Sequence, residues 1–275
     1  MMRAGTFKRS RTHPGPLSGG EGIRSRRGFS LIELLVVLVI IGIVSAISIP
    51  ALKGIGQSNT MTSATRQLID DLAFARHKAM TLRTTVHMVF VPELAAASGV
   101  PLTTRDQQAY DRLKAGAYTS YAIYAERTPG DQPGQPTRRY LTKWRSLPEG
   151  ILIAQWQFDG AAPATTSPVT RPFEWVKLPF PSAEVTMAEE MPHIAFDQQG
   201  RAVRRIGTSL VGQDEFIWVT KGSVLPAYDP AGKVTGIDVR ESPLNNWTNN
   251  FNRIHIDAVT GRAKLERPEI GDSPW

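Results

Sequence analysis

The sequence predicts an α+β protein: a long N-terminal helix, transmembrane in its first half and amphipathic in its second, packed on an antiparallel β-sheet domain. Three features carry that expectation. Residues 29–49, FSLIELLVVLVIIGIVSAISI, form an unbroken apolar run whose one charge is Glu33. Residues 58–82 repeat apolar side chains at alternating spacings of four and three, the period of one helical face. From residue 84 onward the period falls to two and turn residues recur, the pattern of paired strands.

The elements follow in chain order. Residues 1–28 are rich in Gly, Pro, Ser and Arg, show no apolar periodicity and read as a disordered basic leader. Residues 29–49 read as a transmembrane helix: at about 1.5 Å per residue they reach across a hydrocarbon core of roughly 30 Å. The run is apolar on every helical face, which argues against a buried core helix of a small domain. Seven cations precede it and only Lys53 follows closely, so the leader belongs in the cytoplasm and everything after Pro50 outside. Pro50, Gly54 and Gly56 interrupt the pattern, and a kink or local break is expected at Pro50, with the helix resuming near Ser58. Met61, Thr65, Leu68, Leu72, Ala75, Ala79 and Leu82 then form one stripe, with Arg66, Asp70, Arg76 and Lys78 off it. Residues 50–83 are thus an amphipathic continuation of a single helix on the order of 80 Å long.

Residues 84–275 read as a β-rich globular domain with long loops. Strands are expected over 84–91, 117–125, 138–144, 151–158, 173–178, 193–196, 202–205, 215–220, 253–257 and 262–266. Two hairpins stand out. Asp197 and Gly200 bound the turn between HIAF and RAVR, and Asp257 and Gly261 repeat that layout between RIHI and RAKLE. Such turns favour Asp at the first position and Gly at the last. The stretches 93–116, 127–137, 159–172 and 221–250 read as loops; at that length they are functional, mobile, or hold further pairing.

Composition narrows the function. A chain of 275 residues, 41% hydrophobic and 21% charged, can bury a core and is not disordered throughout. The net charge of +7 is concentrated: residues 1–28 carry seven cations against Glu21, a net +6, which leaves +1 on residues 29–275. The high isoelectric point therefore belongs to the leader and is no sign of nucleic-acid binding. The absence of cysteine excludes disulfides, thiolate metal sites and cysteine nucleophiles.

The most informative stretch is residues 24–50, RSRRGFSLIELLVVLVIIGIVSAISIP: a basic patch, Gly28, Phe29, and a carboxylate at Glu33 inside an apolar helix. Glycine leaves the backbone open to a protease. An acid in lipid costs about 3 kcal/mol even on mild insertion scales, so Glu33 calls for a partner. This order closely resembles the class III signal of type IV prepilins and type II secretion pseudopilins. The resemblance implies a pilin-like lollipop fold and cleavage between Gly28 and Phe29 by a membrane prepilin peptidase. It further implies N-methylation of Phe29, an assembly role for Glu33 and a helix kink at Pro50. Its partners would be other pilins or pseudopilins, met through the N-terminal helix, and membrane lipid. The product would sit single-pass in the inner membrane, globular domain outside, and enter a pilus or pseudopilus.

Further along, residues 68–90, HIAFDQQGRAV and NRIHIDAVTGRAKLE resemble the GspH/FimT-type minor pseudopilin pattern. That pattern is an Ala-Arg pair on a helix (Ala75-Arg76), a strand, and late hairpins ending in Phe-x-x-x-Gly and Thr-Gly-Arg. The function this implies is a minor structural or initiating subunit of a secretion pseudopilus or a type IV pilus.

Two other classes compete. Arg201, Arg204, Arg205, Arg262, Lys264 and Arg267 could form a basic face for phosphates, as a DNA-binding tip subunit would need; the alternative is charge that guards strand edges. SRRGFSL also resembles a twin-arginine export signal, which would release an enzyme, and a signal anchor could carry one. No catalytic residue, cofactor site or metal site is expected: no GxSxG, phosphate loop, GxGxxG or HExxH occurs. His77, His87, His193 and His255 lack ligand spacing, and the last three read as core or cross-strand histidines. Asp70 and Asp71 diverge by about 100° around the helix and read as a solvated face with an Arg66–Asp70 contact.

Overall fold

The structure is a computed structural model that describes residues 30–95, 102–128, 130–132, 137–159, 172–185, 188–244, 246 and 251–266, with the backbone alone at 46–59. The chain divides into two compact units, Met1–Ala51 and Leu52–Trp275. Helix α1 runs over Leu31–Leu82.

In the first unit the described residues belong almost entirely to α1. The Ser30 carbonyl opens the helix by accepting from the backbone N–H of Glu33 at 3.0 Å and of Leu34 at 3.2 Å. Among the described residues, no helix is long and apolar enough to cross a membrane. The 29–49 run extends at both ends past the side chains described, which here are those of 30–45. The break expected near Pro50 is absent, because the backbone is helical through 50, 54 and 56. An internal proline removes a single hydrogen bond, and the helical turns on either side can hold the chain in register. The Pro50 side chain lies outside the described residues.

In the second unit α1 buries Met61, Leu68, Leu72, Ala75 and Ala79 of the stripe read from the spacing and half-buries Leu82, and it also buries Ala64. Thr65 belongs to the stripe because its hydroxyl is satisfied, donating to the Met61 carbonyl at 2.8 Å and accepting from Asn252 at 2.9 Å. Two antiparallel sheets supply the rest of the core. The larger contains β1 (Val86–Phe90), β2 (Ser120–Ala125), β3 (Arg139–Tyr140), β4 (Arg145–Ser146), β6 (Glu174–Pro179), β7 (Ala188–Phe196), β8 (Ala202–Ile206) and β9 (Ser209–Gly212). Its path is β3-β2-β1-β7-β8-β9, with β4 on β2 and β6 on β7. The smaller runs β11 (Val234–Glu241), β10 (Glu215–Tyr228), β12 (Phe251–Ile256), β13 (Ala263–Glu266), with β5 (Ile151–Ile153) on β10. Alternate residues of both sheets, among them Met88, Phe90, Ile123, Phe196, Ile217 and Ile254, meet the stripe of α1 in one core.

The opposite face of the larger sheet is also covered. Helix α2 (Thr104–Ala115) lays Tyr110 and Leu113 on Val89, Val91, Tyr124 and Met191, with Leu178 and Phe180 completing a second core. This corrects the reading of 93–116 as a loop. Likewise 221–250 holds the outer half of β10 and all of β11, paired from Gly222↔Glu241 to Tyr228↔Val234. Residues 151–158 are not one strand. β5 stops at Ile153 and α3 (Trp156–Asp159) follows, where the Gln157 amide bonds the Phe216 carbonyl and the Trp218 N–H, both at 2.8 Å. Residues 138–144 are likewise not one strand: pairing is confined to β3 and, after a gap, β4.

Candidate functional site

Gly28 and Phe29 lie outside the described residues. Glu33 is described and sits exposed in the first turn of α1. There the unsatisfied N–H groups of the helix start favour a carboxylate. Around it twelve large apolar side chains, from Leu31 to Val44, are all exposed, on every face of the helix. Covering a side chain of this size stabilises by about 1.5–3 kcal/mol. Water is therefore the wrong solvent for this helix start by on the order of 20 kcal/mol. Chemically, the arrangement offers a single carboxylate on an otherwise apolar rod.

A second arrangement lies in the second unit, where α1 meets both late hairpins. The Ala75-Arg76 pair divides its work: Ala75 is fully buried, while Arg76 Nε donates to the carbonyls of Gly200 at 3.1 Å and Thr260 at 2.6 Å. Gly200 and Gly261 both have positive φ, +78° and +60°, the left-handed region that favours glycine. The two turns touch, since a Cβ on Gly261 would collide with the Gly200 carbonyl oxygen. Asp197 closes the first turn by accepting from the N–H groups of Gln199 and Arg201, and Asp257 closes the second by accepting from Thr260. Those bonds hold the Asp257 carboxyl below the usual range. The residues that carry the second sequence resemblance are thus brought together in space.

Asp71 departs from its expected place. Asp70 is exposed as a solvated residue should be, but Asp71 is only 6% exposed. It accepts from the Tyr121 hydroxyl at 2.7 Å and from Arg145 at 2.5 Å. Gln67 donates to the same Tyr121 oxygen at 2.7 Å. Burial first, and the Asp71 carboxylate next, push the Tyr121 phenol well above its ordinary pKa, so it stays a donor. Adjacent helical residues diverge by about 100°, and here that is enough for one of them to reach the sheet.

The six candidate cations of the basic face are divided between the two hairpins. Arg201 pairs with Asp197 at 2.7 Å, Arg204 with Glu215 at 3.4 Å, and Lys264 with Glu266 at 3.1 Å. Arg204 also donates to the Pro172 carbonyl. Arg205 and Arg262 are exposed, and Arg267 lies outside the described residues. Half of the set is thus already neutralised by carboxylates.

His87, His193 and His255 do lie on strands. His255 sits between Glu266 at 2.9 Å and Asp214 at 3.2 Å, its ring stacked on Phe216. Among the described residues, no group of three or more His, Asp or Glu side chains is placed to hold a metal ion. What sequence reasoning missed is the array Glu126, His87, His193, Glu174 on the larger sheet. The signal for it was two histidines in apolar strands, each with a carboxylate on the neighbouring strand.

Residues 23–49 fit the family model of the prokaryotic N-terminal methylation motif. The matched segment contains Gly28, Phe29 and Glu33 and ends where the apolar run ends. No curated protein and no solved structure gives a significant match.

Proposed function

We propose that this chain, which carries a prokaryotic N-terminal methylation motif at residues 23–49, is a minor structural or initiating subunit of a type II secretion pseudopilus or type IV pilus. It is made as a precursor. A prepilin peptidase cuts it after Gly28, and Phe29 becomes the methylated N-terminus. Residues 29–49 hold the product single-pass in the inner membrane, with the leader on the cytoplasmic side and the rest outside. The chain is a structural subunit and not an enzyme. The observation that carries the reading is the motif, set on a helix start whose apolar side chains are all exposed and whose described charge is Glu33.

The physics of that helix start supplies a mechanism. After cleavage Phe29 carries a cationic amine, and methylation leaves it basic. Glu33 follows four residues later in the same apolar layer. Either charge alone in lipid is costly. When helices slide past one another, the carboxylate of one subunit can meet the amine of its neighbour, which fixes their axial offset. Apolar side chains are interchangeable with lipid and cannot set that register.

The test is Glu33→Leu, followed by in-membrane crosslinking to partner pilins. The variant should insert and be cleaved normally, since it removes a charge from the span, and should crosslink far less than the wild type. Normal processing together with wild-type crosslinking would refute the assembly role.

A further inference from the structure

Four titratable side chains step across adjacent strands on the face of the larger sheet that carries the second core. Glu126 follows β2, His87 lies on β1, His193 on β7 and Glu174 on β6, and these strands are neighbours in that order. His87 Nε2 stands 3.1 Å from Glu126. The two imidazoles meet edge to face with centroids 4.8 Å apart. His193 Nε2 stands 3.9 Å from Glu174, directly opposite in the register. Both imidazoles are buried, and the carboxylates at the two ends are more exposed. Nδ1 of His87 and the hydroxyl of Tyr124, whose ring lies 6.2 Å from His87, are buried without a hydrogen-bond partner.

Apolar side chains would fill these positions at less cost, because a buried polar atom without a partner is destabilising. We propose that Glu126, His87, His193 and Glu174 form a proton-operated latch, which holds strands β2, β1, β7 and β6 together while at most one histidine is charged and loosens them when both are.

His87 hydrogen-bonds the Glu126 carboxylate, so a charge on that ring has a partner 3.1 Å away. That hydrogen bond, with Arg205 and Arg138 nearby, holds the Glu126 carboxyl below its ordinary range and keeps it an acceptor. A proton on His193 is the costly one. Burial opposes it most, then the charge on His87, with Arg204 adding to both. These hold His193 well below 6.5. The carboxylate on that side is already engaged, since Glu174 accepts from the Arg205 backbone N–H at 2.9 and 3.1 Å. Two imidazolium rings in edge-to-face contact inside the sheet repel. Separation of β7 from β1 relieves that repulsion, and β6, paired to β7, moves with it.

The test is histidine NMR of the full chain in detergent micelles from about pH 8 to pH 4, with signals assigned through His87→Asn and His193→Asn. In the wild type His193 should titrate well below the ordinary imidazole range. In His87→Asn the His193 midpoint should rise by about one unit, because its charged neighbour is gone. A His193 midpoint that is the same with and without His87 overturns the latch. If His87→Asn does not fold, backbone amide exchange in β1 and β7 of the wild type that does not quicken as His193 takes its proton overturns it equally.

Discussion

Arg76 on α1 donates its Nε–H to the carbonyl of Thr260, 2.6 Å away, and shares the same hydrogen with Gly200 at 3.1 Å. One three-centre bond thus ties the helix to a turn of each sheet. Arg76→Ala should lose about 1–3 kcal/mol of unfolding free energy, as expected when backbone carbonyls lose a charged donor. Arg76→Lys should recover little, because an ammonium on a flexible stem does not reproduce the fixed Nε geometry. Denaturant unfolding of the three proteins would measure both differences.

Gly261 and Gly207 separate backbone conformation from packing. Both have φ near +60°, but only Gly261 faces another backbone, and nothing lies near Gly207. Gly207→Ala should cost about 1 kcal/mol, the left-handed penalty alone. Gly261→Ala should cost that plus about 1–3 kcal/mol for forcing the two turns apart. Equal losses in thermal or chemical unfolding would mean that the turns separate freely.

Asp71 and Asp70 make a similar pair. Asp71→Asn weakens the bonds from Tyr121 and Arg145 at a buried site and should lose about 1–3 kcal/mol. Asp70→Asn, on the exposed face, should stay within about 0.5 kcal/mol of the wild type. The measurement is again the unfolding free energy, with an unchanged slope against denaturant as the sign that the native state is intact.

The pattern of successes and misses has physical causes. The α1 stripe and the two late turns were legible, because burial imposes the helical period and a left-handed turn position demands glycine. Helix α2 was not, because TRDQQAYDRLKA offers only Tyr110, Leu113 and two alanines as apolar residues. Its one local signal was Thr103 three residues before Asp106, and the structure uses it: the Thr103 hydroxyl accepts from the Asp106 N–H. The β10–β11 ribbon was hidden by Pro226, which argues against a central strand. Yet its turn, Asp229 to Gly232, repeats the Asp-x-x-Gly layout of the first late hairpin, with Asp229 accepting from Ala231 and Lys233. Asp71 was misread because nothing in a local sequence says that Tyr121 and Arg145 will arrive opposite it. Gly28 and Glu33 belong to a short linear motif, which is legible without any tertiary contact, so the sequence carries it on its own.

Stability should also depend on pH. His193 has a lower pKa folded than unfolded, because burial and the neighbouring charge disfavour its cation. The unfolded chain then binds more protons below 6.5, so stability rises with pH through that window. This contribution is complete above about pH 6.5 and is lost progressively as the pH falls toward the folded value. Glu126, depressed in the folded state, adds a loss in the same direction at lower pH, below the ordinary carboxylate range. Melting temperatures from about pH 8 to pH 5 should fall on the acid side for the wild type and less steeply for His193→Leu. His77→Asn, at an exposed helical position, should follow the wild type.

The central claim is that Gly28 and Phe29 flank a processing site and that Phe29 begins the working protein. Intact mass together with N-terminal sequencing of the chain purified from membranes tests it most directly. The account expects a mass that starts at Phe29 and carries one added methyl, with phenylalanine as the first residue. A membrane form that still holds residues 24–28, or one cut near residues 45–50 to release the domain, would contradict it.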